Sequence, residues 1–262
     1  MADVVLIAVN NDDIASTNQA KYLLELNPWK DRARVESYPT YEHEHVRMWF
    51  LPKQILWEDH LDKRWNQATG EIVREVIFPS RHAAKSGKPC LTLHPIGVPH
   101  HPREEEPPFG GQSGFAPPPN SRIAPWWRLL HKKWEEHAIP DFSLSLEVTH
   151  HGPILDVPAL FIEVGSTEPY WPNEDAARLL AEIIAEGLGL DGNNSTESWS
   201  KDNVNEPVLI TLGGGHYAPK ANKLALEPHV WLGHMLANHS LPFGSQDEPG
   251  AVSYTHLRAH ET

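Results

Sequence analysis

A chain of 262 residues is long enough to bury a full core, and 40% hydrophobic with 22% charged residues is the composition of a globular protein. The formal net charge of −13 argues against a general nucleic-acid coat, because non-specific binding relies on Lys and Arg neutralising phosphates; DNA is not an expected partner, and an RNA substrate would need a local basic patch. No apolar run approaches the roughly 18 residues needed to cross a bilayer, so no membrane partner is expected, and the single cysteine, Cys90, excludes a disulfide framework and zinc sites built on two or more thiolates.

The chain opens on an apolar run, Val4 to Val9, with no basic flank before it and no small-residue cleavage site after it, so it reads as a core strand of a cytoplasmic protein. An amphipathic stretch over 13–26 follows, then β-type runs at 72–78 and 90–93. Residues 97–122 are rich in Pro and Gly, too long and too polar for a plain connection, and read as a surface lid or mobile insertion. A helix over 125–138 carries Trp126, Trp127 and Trp134; Trp127 and Trp134 share a face and fill core, a nucleobase platform being the sharper alternative. Further β-type runs at 142–148 and 159–164 precede a helix at 173–188, begun by Pro172 and Asn173, acidic in its first turn, and ended by Gly187 and Gly189. A polar excursion near 191–205 separates it from a last β-type run at 207–212. Strands alternating with helices predict a single α/β domain, residues 1–250, with a mixed, mostly parallel sheet. The final residues 251–262, AVSYTHLRAHET, look non-native, so His256 and His260 are left out of the chemistry.

With thiolates excluded, any metal must use His and carboxylate, and 17 histidines is a high count for this length. Several close β-type runs. Gly213-Gly214-Gly215-His216 follows the run at 207–212: a backbone without Cβ atoms can turn sharply there and bring N–H groups to a ligand, with His216 at the mouth of the sheet. Glu147-Val148-Thr149-His150-His151 ends another run, and adjacent histidines can serve one site only if the strand has already broken into a loop. Phe161 to Glu168 brings Glu163 and Glu168, while His82 and His94 close two more runs. His100 and His101 read as solvent-exposed. Zinc with imidazole and carboxylate ligands and one position kept for water is the expected use of such a set. Arg81, Arg128, Lys132, Lys133 and Lys220 are the candidates for a local phosphate patch.

Taken together, SRH at 80–82, LTLHPIG at 91–97, EVTHHGP at 147–153, IEVGSTE at 162–168, GGGHYAPK at 213–220 and Gly233-His234 resemble the archaeal- and plant-type D-aminoacyl-tRNA deacylases in order and spacing over roughly residues 1–245. The insertion at 98–122 looks more like the plant members. The resemblance implies a single three-layer domain similar to peptidyl-tRNA hydrolase and nucleoside phosphorylase cores. It implies hydrolysis of the ester between a D-amino acid and tRNA by a zinc-activated water, recycling mischarged tRNA. His82, His94, His150 and His151 are then expected to bind metal, with His216, Glu163 and Glu168 catalytic. Gly213, Gly214, Gly215, Lys220 and Arg81 are expected to bind substrate, the glycine N–H groups stabilising the oxyanion or holding the terminal adenosine. Family members continue past residue 250, so a C-terminally truncated domain is expected here, as a monomer. Two alternatives stay open: a metal-free hydrolase or phosphorylase with His216 as general base, and a non-catalytic tRNA-binding module.

Overall fold

The N-terminal apolar run forms β1 (Asp3–Asn10), buried from Val4 onward because the sheet it enters is covered on both faces. The structure, a computed structural model, describes residues 2–241 apart from 53, 103, 193–198 and 200; the tail at 251–262 and part of the 191–205 excursion lie outside the described residues. Asp13 caps α1 (Ile14–Leu26), its side chain accepting from the N–H groups of Ala15 and Ser16 that a helix start leaves unpaired. There follow β2 (Lys30–Asp31), β3 (Thr40–His43), β4 (Val46–Leu51), α2 (Leu61–Thr69), β5 (Ile72–Arg81) and β6 (Cys90–Pro95). The second half contributes α3 (Ile123–His137), β7 (Ser143–Leu146), β8 (Ala159–Gly165), α4 (Glu174–Leu188), β9 (Val208–Leu212), α5 (Pro219–Leu224) and β10 (Trp231–Leu236).

Eight strands make one sheet in the order β2-β3-β4-β1-β5-β8-β6-β7, and β10 pairs with β9 beside it. β4, β1, β5 and β8 run parallel, while β6 is antiparallel to β8 and carries β7 parallel to itself. This is the mixed, mostly parallel sheet that the alternation of strands and helices predicts. Alternate residues of β1 go to opposite faces: Val5, Ile7 and Val9 pack with α1, α3 and α4, and Val4, Leu6 and Ala8 with Leu61 and Trp65 of α2.

The sequence pattern passes over β3, β4 and α2. β4 hides because Arg47 interrupts its apolar run; the guanidinium is nonetheless buried, donating to Glu71 and to the carbonyls of Glu44 and Val46. α4 starts as expected, its Asn173 side chain accepting from Ala176 N–H, and Gly189 closes it in the left-handed region at φ 72°. Gly187 does not end the helix. It lies in the last turn because a Cβ there would come within 2.4 Å of Trp126 Nε1. Trp126 and Trp127 are fully buried and Trp134 packs partly buried against the same core, so none of them is a nucleobase platform.

Candidate active site

β5, β8 and β6 lie side by side, and their register sets the floor of the site. Glu163 pairs with Ser80 on one side and with Thr92 on the other, and His94 pairs with Phe161. Because strand residues alternate between faces, Thr92, His94, Phe161 and Glu163 all rise from the α2 side of the sheet. His94 therefore stands on the sheet face at the carboxyl end of β6, as its place after an apolar run suggests, and Glu163 stands on the same face inside β8. His82 follows β5 directly. Gly165 leaves room for it: a Cβ there would sit 2.8 Å from His82 Cδ2.

His150 and His151 come four and five residues after β7 ends, so the chain has already left the sheet and both rings turn to one side. Two backbone bonds hold this turn, from Val148 N–H to His216 O and from Thr149 N–H to Met235 O, which lash it to the glycine turn and to β10. Gly97 N–H adds a third tie, to the carbonyls of His150 and His151.

The side chains converge on Glu147, which is completely buried. His82 Nδ1 is 3.1 Å from Glu147 Oε1 and 3.5 Å from Glu163 Oε2. His150 Nε2 is 3.6 Å from Glu147 Oε2, and His216 Nε2 is 3.7 Å from Glu147 Oε1. His94, its ring stacked 5.0 Å from that of Phe161, has Nε2 3.8 Å from Glu163 Oε2. Thr92 Oγ1 donates to Glu163 Oε2 at 3.1 Å. At His150 the Nδ1–H donates to Val148 O at 2.7 Å, and at His94 to Pro95 O at 3.1 Å. A carbonyl can only accept, so each Nδ1 carries the proton and each Nε2 keeps a lone pair for a ligand.

Both oxygens of Glu147, His94 Nε2 and His151 Nδ1 are buried without a hydrogen-bond partner among the described residues. Buried polar atoms left unpaired are costly, and cations bound among these groups would satisfy them. Three sets of donors meet within 4.8 Å: His94, His150 and His151; Glu147, His150 and His216; and His82, Glu147 and Glu163. Imidazole and carboxylate donors in such groups suit zinc.

Burial, reinforced by neighbouring His151, holds the pKa of His94 and of His150 well below the usual imidazole value. Burial, with His216 and His82 adding to it, takes His151 down to about 3. These three rings are neutral and able to donate lone pairs at physiological pH. Glu163 moves the other way: burial raises its pKa far above the ordinary carboxylate range, with His82 opposing. Burial also works against the charged form of His82, but Glu163 and Glu147 outweigh it and the pKa is raised. Both partners shift upward because burial dominates at the acid, while at the imidazole the two carboxylates together outweigh burial.

A cavity of about 450 Å³ opens above this cluster, lined by His82, His150, His151, Glu163 and His216 at its base, with Arg81, Asn10 and Asp13 beside them. Arg81 stacks its guanidinium 4.8 Å from the Trp171 ring. The other expected residues lie elsewhere. Glu168 is exposed beyond β8 and is not among the residues lining the cavity. Lys220 is exposed in the first turn of α5. Gly213 and Gly214 donate their N–H groups to Leu236 O and Asn238 Oδ1, and these bonds, which join the glycine turn to the end of β10 and the residues that follow it, leave neither donor for an oxyanion. None of the three glycines lines the cavity. Glu147 heads the EVTHH segment but is not among the residues the sequence singles out; an acid near the end of the β-type run at 142–148, three residues before a His pair, is the available signal. Tyr217, whose hydroxyl lies 3.4 Å from His82 Nε2, and Thr92 were also passed over.

Residues 69–256 match the family model described as D-aminoacyl-tRNA deacylase. The chain is 45% identical over 241 residues to a D-aminoacyl-tRNA deacylase of Arabidopsis thaliana, covering 91% of this chain and 76% of that protein. It is 31% identical over 240 residues to one of Pyrococcus horikoshii, covering 90% of this chain and 81% of that one. Among solved structures, a conserved protein of unknown function superposes with a TM-score of 0.75 at 25% identity, covering 90% of this chain and 77% of the other.

Proposed function

Since the chain belongs to the D-aminoacyl-tRNA deacylase family, we propose that it cleaves the ester between a D-amino acid and the 3′ end of tRNA, using zinc held in the histidine and glutamate cluster. One observation carries the metal reading: Glu147 is completely buried, neither of its oxygens has a hydrogen-bond partner among the described residues, and the imidazoles of His82, His150 and His216 surround it. His94, His150 and His151 would hold zinc, with Glu147 and His216 on the neighbouring side. There it would supply Lewis-acid activation of the attacking water near neutral pH.

Glu163 and His82 handle the proton. Water attacking the ester carbonyl loses a proton, and Glu163, on the cavity floor beside His82, accepts it. As the C–O bond breaks, the same proton goes to the ribose 3′ oxygen, leaving a free D-amino acid and a tRNA with its hydroxyl restored. Thr92 fixes the Glu163 carboxylate through its hydroxyl, and Tyr217 limits rotation of His82. Arg81 offers a cation on the cavity wall of an otherwise acidic protein, suited to a phosphate of the 3′ end.

The test combines a zinc-stoichiometry measurement on purified protein with deacylation of D-tyrosyl-tRNA and L-tyrosyl-tRNA. Bound zinc and turnover of the D-ester alone are expected. A metal-free protein with full activity would refute the zinc reading, and equal turnover of both esters would refute the deacylase reading.

A further inference from the structure

Two large aromatic side chains stand in solvent at the mouth of the cavity: Trp57 is 48% exposed and Phe109 is 59% exposed. Isolated exposed aromatics are ordinary on a protein surface. What distinguishes these two is that both line the cavity that reaches His82 and Glu163, although they lie 52 residues apart in the chain. Their meeting is built in. Gly110 has φ +73°, and a Cβ on it would lie 1.9 Å from the carbonyl oxygen of Leu56, so the strap bearing Phe109 runs in backbone contact with the turn bearing Trp57. Gly111 makes the same close approach to the turn after the His pair, its Cβ position being 3.1 Å from Gly152 O. The Pro- and Gly-rich segment is thus pinned beside the site and presents a ring to it.

We propose that Trp57 and Phe109 form the seat on which the terminal adenine of the tRNA stacks while its ester is cleaved. The proposal rests on the deacylase reading. The scissile ester joins the amino acid to the terminal ribose, so with the carbonyl at the cluster, the base on that ribose must lie one sugar away. The rest of the tRNA leads outward, so the base crosses the mouth, while the amino-acid side chain is the free end and can stay inside. Stacking suits this base, because a protein of net charge −13 gains little from phosphate attraction and a π-face needs no charge. Gln54, also on the cavity wall, is exposed and has no side-chain hydrogen bond among the described residues, which leaves its amide for the polar edge of adenine.

Trp57→Ala and Phe109→Ala are each expected to raise KM for D-tyrosyl-tRNA about tenfold with kcat nearly unchanged, and Trp57→Phe and Phe109→Tyr to restore most of it. A tRNA ending in cytidine should bind the wild type more weakly, and the alanine variants should lose little further on that substrate. Calorimetry with an uncharged minihelix ending in CCA reads the same contact without turnover, so the proposal stands or falls even if the deacylase reading fails. Unchanged KM and minihelix affinity in both alanine variants would overturn the seat. So would a KM loss that follows the size of the D-amino acid while the base swap stays fully additive, since the rings would then hold the amino-acid side chain. Both positions are exposed, and an unchanged melting temperature would show that the variants fold.

Discussion

The substitution Gly165→Ala tests the cluster from behind. Gly165 ends β8 with its backbone outside the left-handed region, so alanine brings no φ strain and the perturbation is purely steric. The added methyl would sit 2.8 Å from His82 Cδ2, 2.9 Å from His82 Cβ and 3.0 Å from Cys90 Sγ, against 3.4 Å or more for ordinary contact. His82 must therefore retreat by about 0.6 Å, or β8 must move. Its Nδ1 is only 3.1 Å from Glu147 and 3.5 Å from Glu163, so a retreat of that size weakens both contacts at once. Misplacing a reacting group by about 1 Å can cost about 100-fold in rate, and a shift of this size should lower kcat for D-tyrosyl-tRNA by about 10- to 100-fold. Overpacking a tight interior costs about 1–3 kcal/mol, which lowers Tm by several degrees in a protein of this size. Single-turnover deacylation and a thermal melt measure the two effects separately. A variant with wild-type kcat would show that His82 has no part in the proton transfer assigned to it with Glu163.

Glu163→Gln should reduce kcat by about 100-fold or more, because the amide cannot carry the proton, whereas Glu168→Gln, at an exposed position, should stay within about twofold of wild type; steady-state deacylation of the pair checks both. Prolonged chelation should abolish turnover and zinc should restore it, while Glu147→Gln should weaken zinc binding by about 100-fold in a competitive chelator titration. Just before β5, at the amino end of that central strand, burial raises and the hydrogen bonds from Arg47, Arg32 and Trp65 lower the pKa of Glu71, with a net downward shift. A depressed carboxylate stabilises the fold fully above its unfolded pKa of about 4.3 and loses that contribution as pH falls through the folded value. Glu71→Gln should therefore cost about 3 kcal/mol near neutrality, by leaving the buried Arg47 charge without its carboxylate. The gap to wild type should close in urea melts at progressively lower pH, and a gap independent of pH would refute the assignment.

How much of this was legible can be judged residue by residue. β1, β5, β8 and α4 were readable because an interior strand is apolar throughout and a surface helix repeats every three or four residues, signals that survive without knowledge of neighbours. β4 was hidden because the guanidinium of Arg47 is satisfied by Glu71, 24 residues away, a pairing that no local pattern reports. The candidate histidines 82, 94, 150, 151 and 216 were found by their positions after apolar runs, and the fold brings all five to one cavity wall or the wall behind it. Choosing between Glu163 and Glu168 required the side-chain direction: Glu163 is inside a strand whose alternation aims it at the cluster, and Glu168 lies past the strand's end.

The glycine turn at 213–215 shows why a correct local reading can still carry the wrong chemistry. The bare backbone does turn sharply after β9, with Gly213 and Gly214 at φ +98° and +83°, and it does deliver His216 to the cluster. The N–H groups of Gly213 and Gly214, however, are spent on Leu236, which ends β10, and on Asn238 just beyond it. The glycines that approach the site closely enough to matter are Gly165, beneath His82, and Gly110, behind Phe109. Each is demanded by a contact between segments remote in the chain, Gly165 by His82 and Gly110 by Leu56. Sequence shows where a backbone can bend, whereas which N–H groups remain for a ligand depends on pairings made only when β10 docks beside β9. A search for oxyanion donors in this protein should therefore begin at the cavity wall and leave the glycine run to its structural task.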